Sequence, residues 1–224
     1  MELNDTTLEV LKNFASINPN LVVKVGDEIS TITEAKNVLA SAKIDIPFPK
    51  EFGVYNLSEF LNVLNLVDKP TLKFDDNFVI ISDSSGRSKV KYFFSDIEML
   101  TAPSKTITMP EADVTLTLDA TTLAKLRRAA SALDNSKISI SPKDGALEVS
   151  VVDPANATSN TFTTIIDGEY KTTDFTFVFD INNLKIIDGD YEVSISSKLI
   201  SKFVNKSKGV QYWIALEKSS TFGA

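Results

Sequence analysis

Lys125, Arg127 and Arg128 fall within four residues of one another, and no acidic side chain lies between Ala120 and Leu133. Cations on a short segment attract phosphate without reading base sequence, because contacts to the backbone of a nucleic acid carry no sequence information. If the segment is helical, at about 100° per residue, Arg128 sits about 140° from Leu123, Lys125 about 200° and Arg127 about 40°. Arg128 then lies nearly opposite an apolar arc of Leu123, Leu126, Ala130 and Leu133, and Lys125 and Arg127 flank it. Lys12 holds the matching position in an earlier segment, where Glu9 and Asn13 share its polar face. Lys185 adds a further cation. The chain has 224 residues and a net charge of −7. Attraction to phosphate therefore requires that cations and acids be segregated. The acids concentrate at Asp75/Asp76, Glu111/Asp113 and Asp167/Glu169.

Carboxylates are the second group with chemical potential. Asp180, Asp188 and Asp190 lie close together in sequence, and a metal-dependent enzyme is the reading they would support. Asp180 has the position of a helix cap, however, and Asp188-Gly189-Asp190 reads as a turn. The chain contains neither histidine nor cysteine, which removes the usual general base, the usual zinc ligands and any disulfide. There is no phosphate-binding glycine loop and no calcium-loop spacing. No catalytic residue, cofactor or metal is expected. The start of the chain, Met1-Glu2-Leu3-Asn4-Asp5, has no basic or apolar leader character, and no apolar run approaches the roughly 20 residues that span a bilayer. A soluble, intracellular protein without membrane contact is expected.

The elements that must position these groups come in two copies. Thr6-Thr7-Leu8, Leu11-Lys12 and Ala15-Ser16 recur 115 residues later as Thr121-Thr122-Leu123, Leu126-Arg127 and Ala130-Ser131. At the same offset, Val23 and Val25 correspond to Ile138 and Ile140. Val54-Tyr55-Asn56-Leu57 matches Val178-Phe179-Asp180-Ile181, and Val90–Phe94 matches Val210–Ile214. Three matches in one order indicate duplication. The seam falls near Leu100–Ala112, where Pro103 and Pro110 flank a polar stretch, so domains of 1–106 and 107–224 are predicted.

Each half reads as helix, strands, short helix, strands: an α+β chain with two helices per domain packed on antiparallel sheets. The first helix runs from about Asp5, its cap, to Ala15, with Leu8, Leu11, Phe14 and Ala15 on its apolar side. Its repeat runs from about Ala120 to Leu133, capped by Asp119. Shorter helices begin after Asn56 and Asp180 and bury Leu57, Phe60, Leu61 and Leu64 in one half, and Ile181, Leu184 and Ile187 in the other. Hairpins are predicted around Lys143-Asp144-Gly145 and Asp83-Ser84-Ser85-Gly86. Thr161–Ile166 and Tyr191–Ser196 alternate as strands. Leu199, Ile200, Phe203 and Val204 have helical spacing, but the repeat aligns them with the strand at Phe78, so a strand is predicted there.

Two terminal stretches, Thr6–Asn18 and Tyr212–Thr221, resemble the DNA polymerase sliding clamps of large myovirus-type phages, and weaker similarity in length and element order extends over the chain. The resemblance implies the DNA clamp fold, with three subunits closing into a six-domain ring whose helices line the hole. It implies that Lys12, Lys125, Arg127, Arg128 and Lys185 face duplex DNA, that a clamp-loader ATPase opens the ring, and that a DNA polymerase is tethered for processive synthesis. It places partner peptides at Ile107, Met109 and Pro110 with Ala215 and Leu216, and the protein in the cytoplasm of an infected cell. Two non-enzymatic alternatives stay open on the residues alone: a nucleic-acid-binding module without ring closure, and a phage structural protein of duplicated domains.

Overall fold

The computed structural model describes residues 1–156 and 158–223. The contacts of the chain group into two units: 1–106 with 208–210, and 107–207 with 211–224.

The first unit contains α1 (Asp5–Ile17), β1 (Leu21–Val23), β2 (Gly26–Ile32), β3 (Val38–Phe48), β4 (Phe52–Val54), α2 (Leu57–Leu64), β5 (Thr71–Phe74), β6 (Phe78–Ser82) and β7 (Lys89–Phe93). All its strand pairs are antiparallel: β1 with β4, β2 with β3, and β5-β6-β7 in sequence order. α1 packs on α2, β2 and β3. Its cap is Asn4, whose side chain accepts from Thr7 N, and not Asp5 as predicted. Its buried face is Thr7, Val10, Leu11, Phe14 and Ile17, so Leu8 and Ala15 sit at the margin of the core and not at its centre. Neighbouring elements, absent from a single-helix projection, set that rotation. α2 follows its prediction: Asn56 caps it, and Leu57, Phe60, Leu61 and Leu64 are buried. Phe48, Phe52, Phe74 and Phe94 form a ring cluster, with Phe52 and Phe94 centroids 4.9 Å apart. Gly53 follows Phe52 in β4 and packs closely against its neighbours. A Cβ there would stand 2.6 Å from the Ser95 carbonyl oxygen and 2.7 Å from Leu100 Cδ1.

The second unit contains β8 (Val114–Leu118), α3 (Ala120–Leu133), β9 (Lys137–Lys143), β10 (Ala146–Val152), β11 (Phe162–Ile166), β12 (Gly168–Tyr170), β13 (Phe175–Asp180), β14 (Tyr191–Ser196), β15 (Ile200–Asn205), β16 (Val210–Ala215) and β17 (Thr221–Phe222). One sheet has the order β11-β10-β9-β13-β17 and another includes β12-β8-β14-β15-β16. The hairpin β9–β10 turns at Asp144 (φ 49°) and Gly145 (φ 86°), the left-handed pair that suits the twist of two strands joined by two residues. The segment with helical spacing is the strand β15, as the repeat requires. Trp213 on β16 is 8% exposed, and the Lys202 ammonium lies 5.1 Å from its ring centroid.

The order β5-β6-β7 in the first unit recurs as β14-β15-β16 in the second. Glu2 bridges Thr71 of β5, much as β8 pairs with β14. Two expectations fail. Val23 and Ile138 do correspond, each buried on the first strand after its helix, but Val25 lies beyond β1 and is 68% exposed, so the 115-residue correspondence ends at Val23. The short helix predicted after Asp180 is a single 3₁₀ turn, Ile181–Asn183. Two asparagines, the adjacent β-branched Ile186 and Ile187, and the following Asp188-Gly189 are weak helix formers. Hydrophobic burial persists without the helix: Leu184, Ile186 and Ile187 are all buried, while Ile181 is only half-buried.

Candidate nucleic-acid interface

The cationic helix α3 is fixed at both ends and in the middle. Asp119 caps it: one carboxylate oxygen accepts from Thr122 N at 2.8 Å and the other from the Thr122 hydroxyl at 2.7 Å. These bonds hold the Asp119 carboxyl below the usual carboxylate range. Asp190 accepts from Ala120 N at 2.8 Å, a second acid at the positive end of the helix. At the other end Asp134 (φ 54°) stops the helix, and Asn135 donates from Nδ2 to Asn160 O at 2.8 Å.

Arg127 ties the middle of α3 to the segment that lacks a helix. Its Nη2 donates to Leu184 O at 2.9 Å and to Ile186 O at 2.7 Å, and its Nη1 donates to Asp188 Oδ1. The guanidinium thus serves backbone carbonyls that a longer helix would have used internally. Beneath this link, Tyr191 donates to Ile187 O and Tyr212 accepts from Ile187 N. Burial pushes the Tyr191 hydroxyl up to about 12, so it remains a donor.

This framework leaves Lys125 and Arg128 exposed, and neither makes an ion pair among the described residues. Lys12 is exposed on α1 and is likewise without an ion pair. Lys185 is exposed in the segment that Arg127 anchors. Arg127 itself is only 30% exposed at its side chain and is engaged with Asp188. It differs from Lys12, Lys125 and Arg128 in being a strut as well as a charge. Sequence could count that charge, but the partner that offsets it lies 61 residues away.

The carboxylates considered for catalysis have structural work. Asp180 accepts from Lys137 Nζ at 2.9 Å and from Asn182 N at 2.8 Å. Burial works to raise its carboxyl, but those bonds outweigh it and hold the group below the usual range. Asp188 meets Arg127, and Asp190 caps α3. Among the described residues no three acids gather where a metal ion could be held.

The residues predicted to meet partner peptides are of two kinds. Ile107, Met109, Pro110 and Ala215 are half-buried, whereas Leu216 is 6% exposed and its N–H donates to Leu199 O. Leu216 belongs to the core.

A duplicated scaffold that exposes helix-borne cations, and in which Asp119, Asp180, Asp188 and Asp190 are engaged in holding the structure, has the character of a binding protein. Residues 4–109 match the family described as DNA polymerase processivity factor, and residues 115–218 match gp45 sliding clamp, C terminal. The chain is therefore a processivity factor for a DNA polymerase and not an enzyme. It is 34% identical over 222 residues to the sliding clamp of Vibrio phage KVP40, covering 97% of this chain and 99% of that protein. With the sliding clamp of Escherichia phage RB69 it shares 31% over 229 residues, covering 99% of both. The chain belongs to the sliding clamp family of these phages. Its fold is also that of more distant structures. Proliferating cellular nuclear antigen from Entamoeba histolytica superposes with a TM-score of 0.66 at 18% identity, over 94% of each chain. The PCNA2–PCNA3 complex from Sulfolobus tokodaii gives 0.68 at 17%, over 95% of this chain and 96% of that one. No helix among the described residues is long and apolar enough to cross a membrane.

Proposed function

We propose that three copies of this chain close into a six-domain ring around duplex DNA, with 1–106 and 107–224 as the two clamp domains of each subunit, and that an ATP-driven loader opens the ring. The observation that carries this reading is a rigidly held α3 whose Lys125 and Arg128 stay exposed in a chain of net charge −7. Lys12 and Lys185 extend the phosphate-facing set, and Arg127 contributes both charge and position. Contacts of this kind are electrostatic and independent of base sequence, which suits a ring that must slide. Ring closure draws support from two sheet-ending strands. β7 ends its sheet with Phe93 62% exposed, and β11 ends its own with Ile165 53% exposed. Unpaired strand edges of this sort pair with other chains unless they are covered. Partner peptides of the polymerase and the loader lie along Ile107, Met109, Pro110 and Ala215, while the buried Leu216 acts through packing. The site of action is the cytoplasm of the infected cell.

The test is to load labelled protein onto nicked circular DNA with its cognate loader and then cut the circle. Retention on the circle and loss through the new ends is the expected result. Protein that stays on free-ended DNA would be a module bound by charge alone, and the ring reading would fall.

A further inference from the structure

Arg127 meets three acceptors, and they are not equivalent. The carbonyls of Leu184 and Ile186 hold Nη2 at 2.9 and 2.7 Å, and they belong to a segment whose side chains are buried. Nη1 goes to Asp188, whose side chain is 87% exposed and forms no other hydrogen bond among the described residues. The two carbonyls suffice to locate the guanidinium. Asp188 adds a negative charge at Nη1, on a side chain that is itself largely exposed. The same arginine borders a cleft of about 340 Å³ lined also by Ser131, Asn135 and Asn182, with Asp134 as its acid. A phosphate oxygen has the charge and the geometry to take the place of the Asp188 carboxylate, since arginine recognises both anions in the same planar manner. An ion pair exposed on its acidic side is weak enough for such an exchange to be nearly balanced.

We propose that Asp188 is a resident competitor for DNA phosphate: it occupies Nη1 of Arg127 in the free clamp and yields it to a passing backbone phosphate, which keeps each contact on this face weak and quickly reversible. The proposal rests on the reading of α3 as the DNA-facing helix. It assigns to Asp188 the tuning of affinity and hence of sliding friction.

The experiment measures binding of the assembled protein to a short blunt-ended duplex, which threads a ring without a loader, by fluorescence anisotropy across a salt series. Asp188→Asn, with Asp188→Ser in parallel in case one variant is poorly folded, is expected to raise affinity roughly three- to fivefold at low salt, a change of the size an exposed pair allows. It is also expected to steepen the salt dependence by about 0.9, one further phosphate contact. In an Arg127→Gln background, where the glutamine amide can still reach a carbonyl, the same substitutions are expected to change neither quantity. If they raise affinity equally with and without Arg127, the effect is long-range charge and the proposal is overturned. Unchanged affinity and slope in both Asp188 variants overturns it as well. Lys125→Ala/Arg128→Ala separates this failure from that of the parent reading: if the double variant binds like the unaltered protein, α3 does not face DNA at all.

Discussion

Leu216 and Met109 were predicted together as contacts for partner peptides, yet their burial separates them. Leu216 is 6% exposed, so its loss opens a cavity. Leu216→Ala is expected to reduce stability by about 2–5 kcal/mol, read from the denaturant midpoint. Met109 is half-buried, and Met109→Ala is expected to weaken binding of a fluorescent apolar peptide from the polymerase while leaving that midpoint in place. A drop in midpoint of the Leu216 size for Met109→Ala would reassign it to the core. Gly53 makes a sharper case. A Cβ placed 2.6 Å from the Ser95 carbonyl has backbone to push, not a flexible side-chain end. Gly53→Ala is expected to cost about 1–3 kcal/mol as overpacking, again by denaturation. None of these distinctions is visible in residue type. Leucine, methionine and glycine are compatible with either role until the chain is folded around them.

Among the elements, α3 was the most legible. Its limits of Ala120 and Leu133 and its cap Asp119 follow from an apolar arc preceded by a good capping side chain. The two turns that close the β6–β7 and β9–β10 hairpins were also written locally, in Asp83–Gly86 and Asp144-Gly145. What escaped was whatever a distant segment decides. The Ile181–Ile187 stretch has helical spacing of apolar residues but weak helix formers and becomes one turn, and the partner that serves its carbonyls, Arg127, lies far away in sequence. β8 alternates over Val114–Leu118, between the seam at Leu100–Ala112 and the cap Asp119, and no element is predicted there from sequence. The caps carry a prediction. Asp119→Ala is expected to cost about 1 kcal/mol. The Asp119 carboxyl is held low by the Thr122 N–H and hydroxyl, so its contribution is complete above the ordinary carboxylate value, about 3.9, and disappears as pH falls through its lower folded value. Asp180, held low against burial by Lys137 and Asn182, acts in the same direction. The thermal midpoint should therefore be level toward neutral pH and fall on acidification below the carboxylate range. Asp119→Asn should make that fall shallower.

For the whole molecule, the duplication, the family and the fold were legible because they repeat over many residues, so that single misreadings average out. Assembly was not. The strands that end the two sheets can be recognised only once the sheet order is known, and β7 and β11 then stand out for Phe93 and Ile165. Phe93→Asp or Ile165→Asp is expected to reduce the sedimenting species from three chains to one, because a charge placed in a strand-to-strand seam must be desolvated. The isolated chain should keep its circular dichroism. Trimers that persist with either aspartate would place the seam elsewhere.

Trp213, the only tryptophan in the chain, sits on β16 in the second unit beneath the ammonium of Lys202. Indole emission on heating is thus a report from one half of the protein, whereas ellipticity in the far ultraviolet sums over both. Should the two traces part company during melting, the halves lose their order one after the other; superimposed traces would mean a single cooperative event.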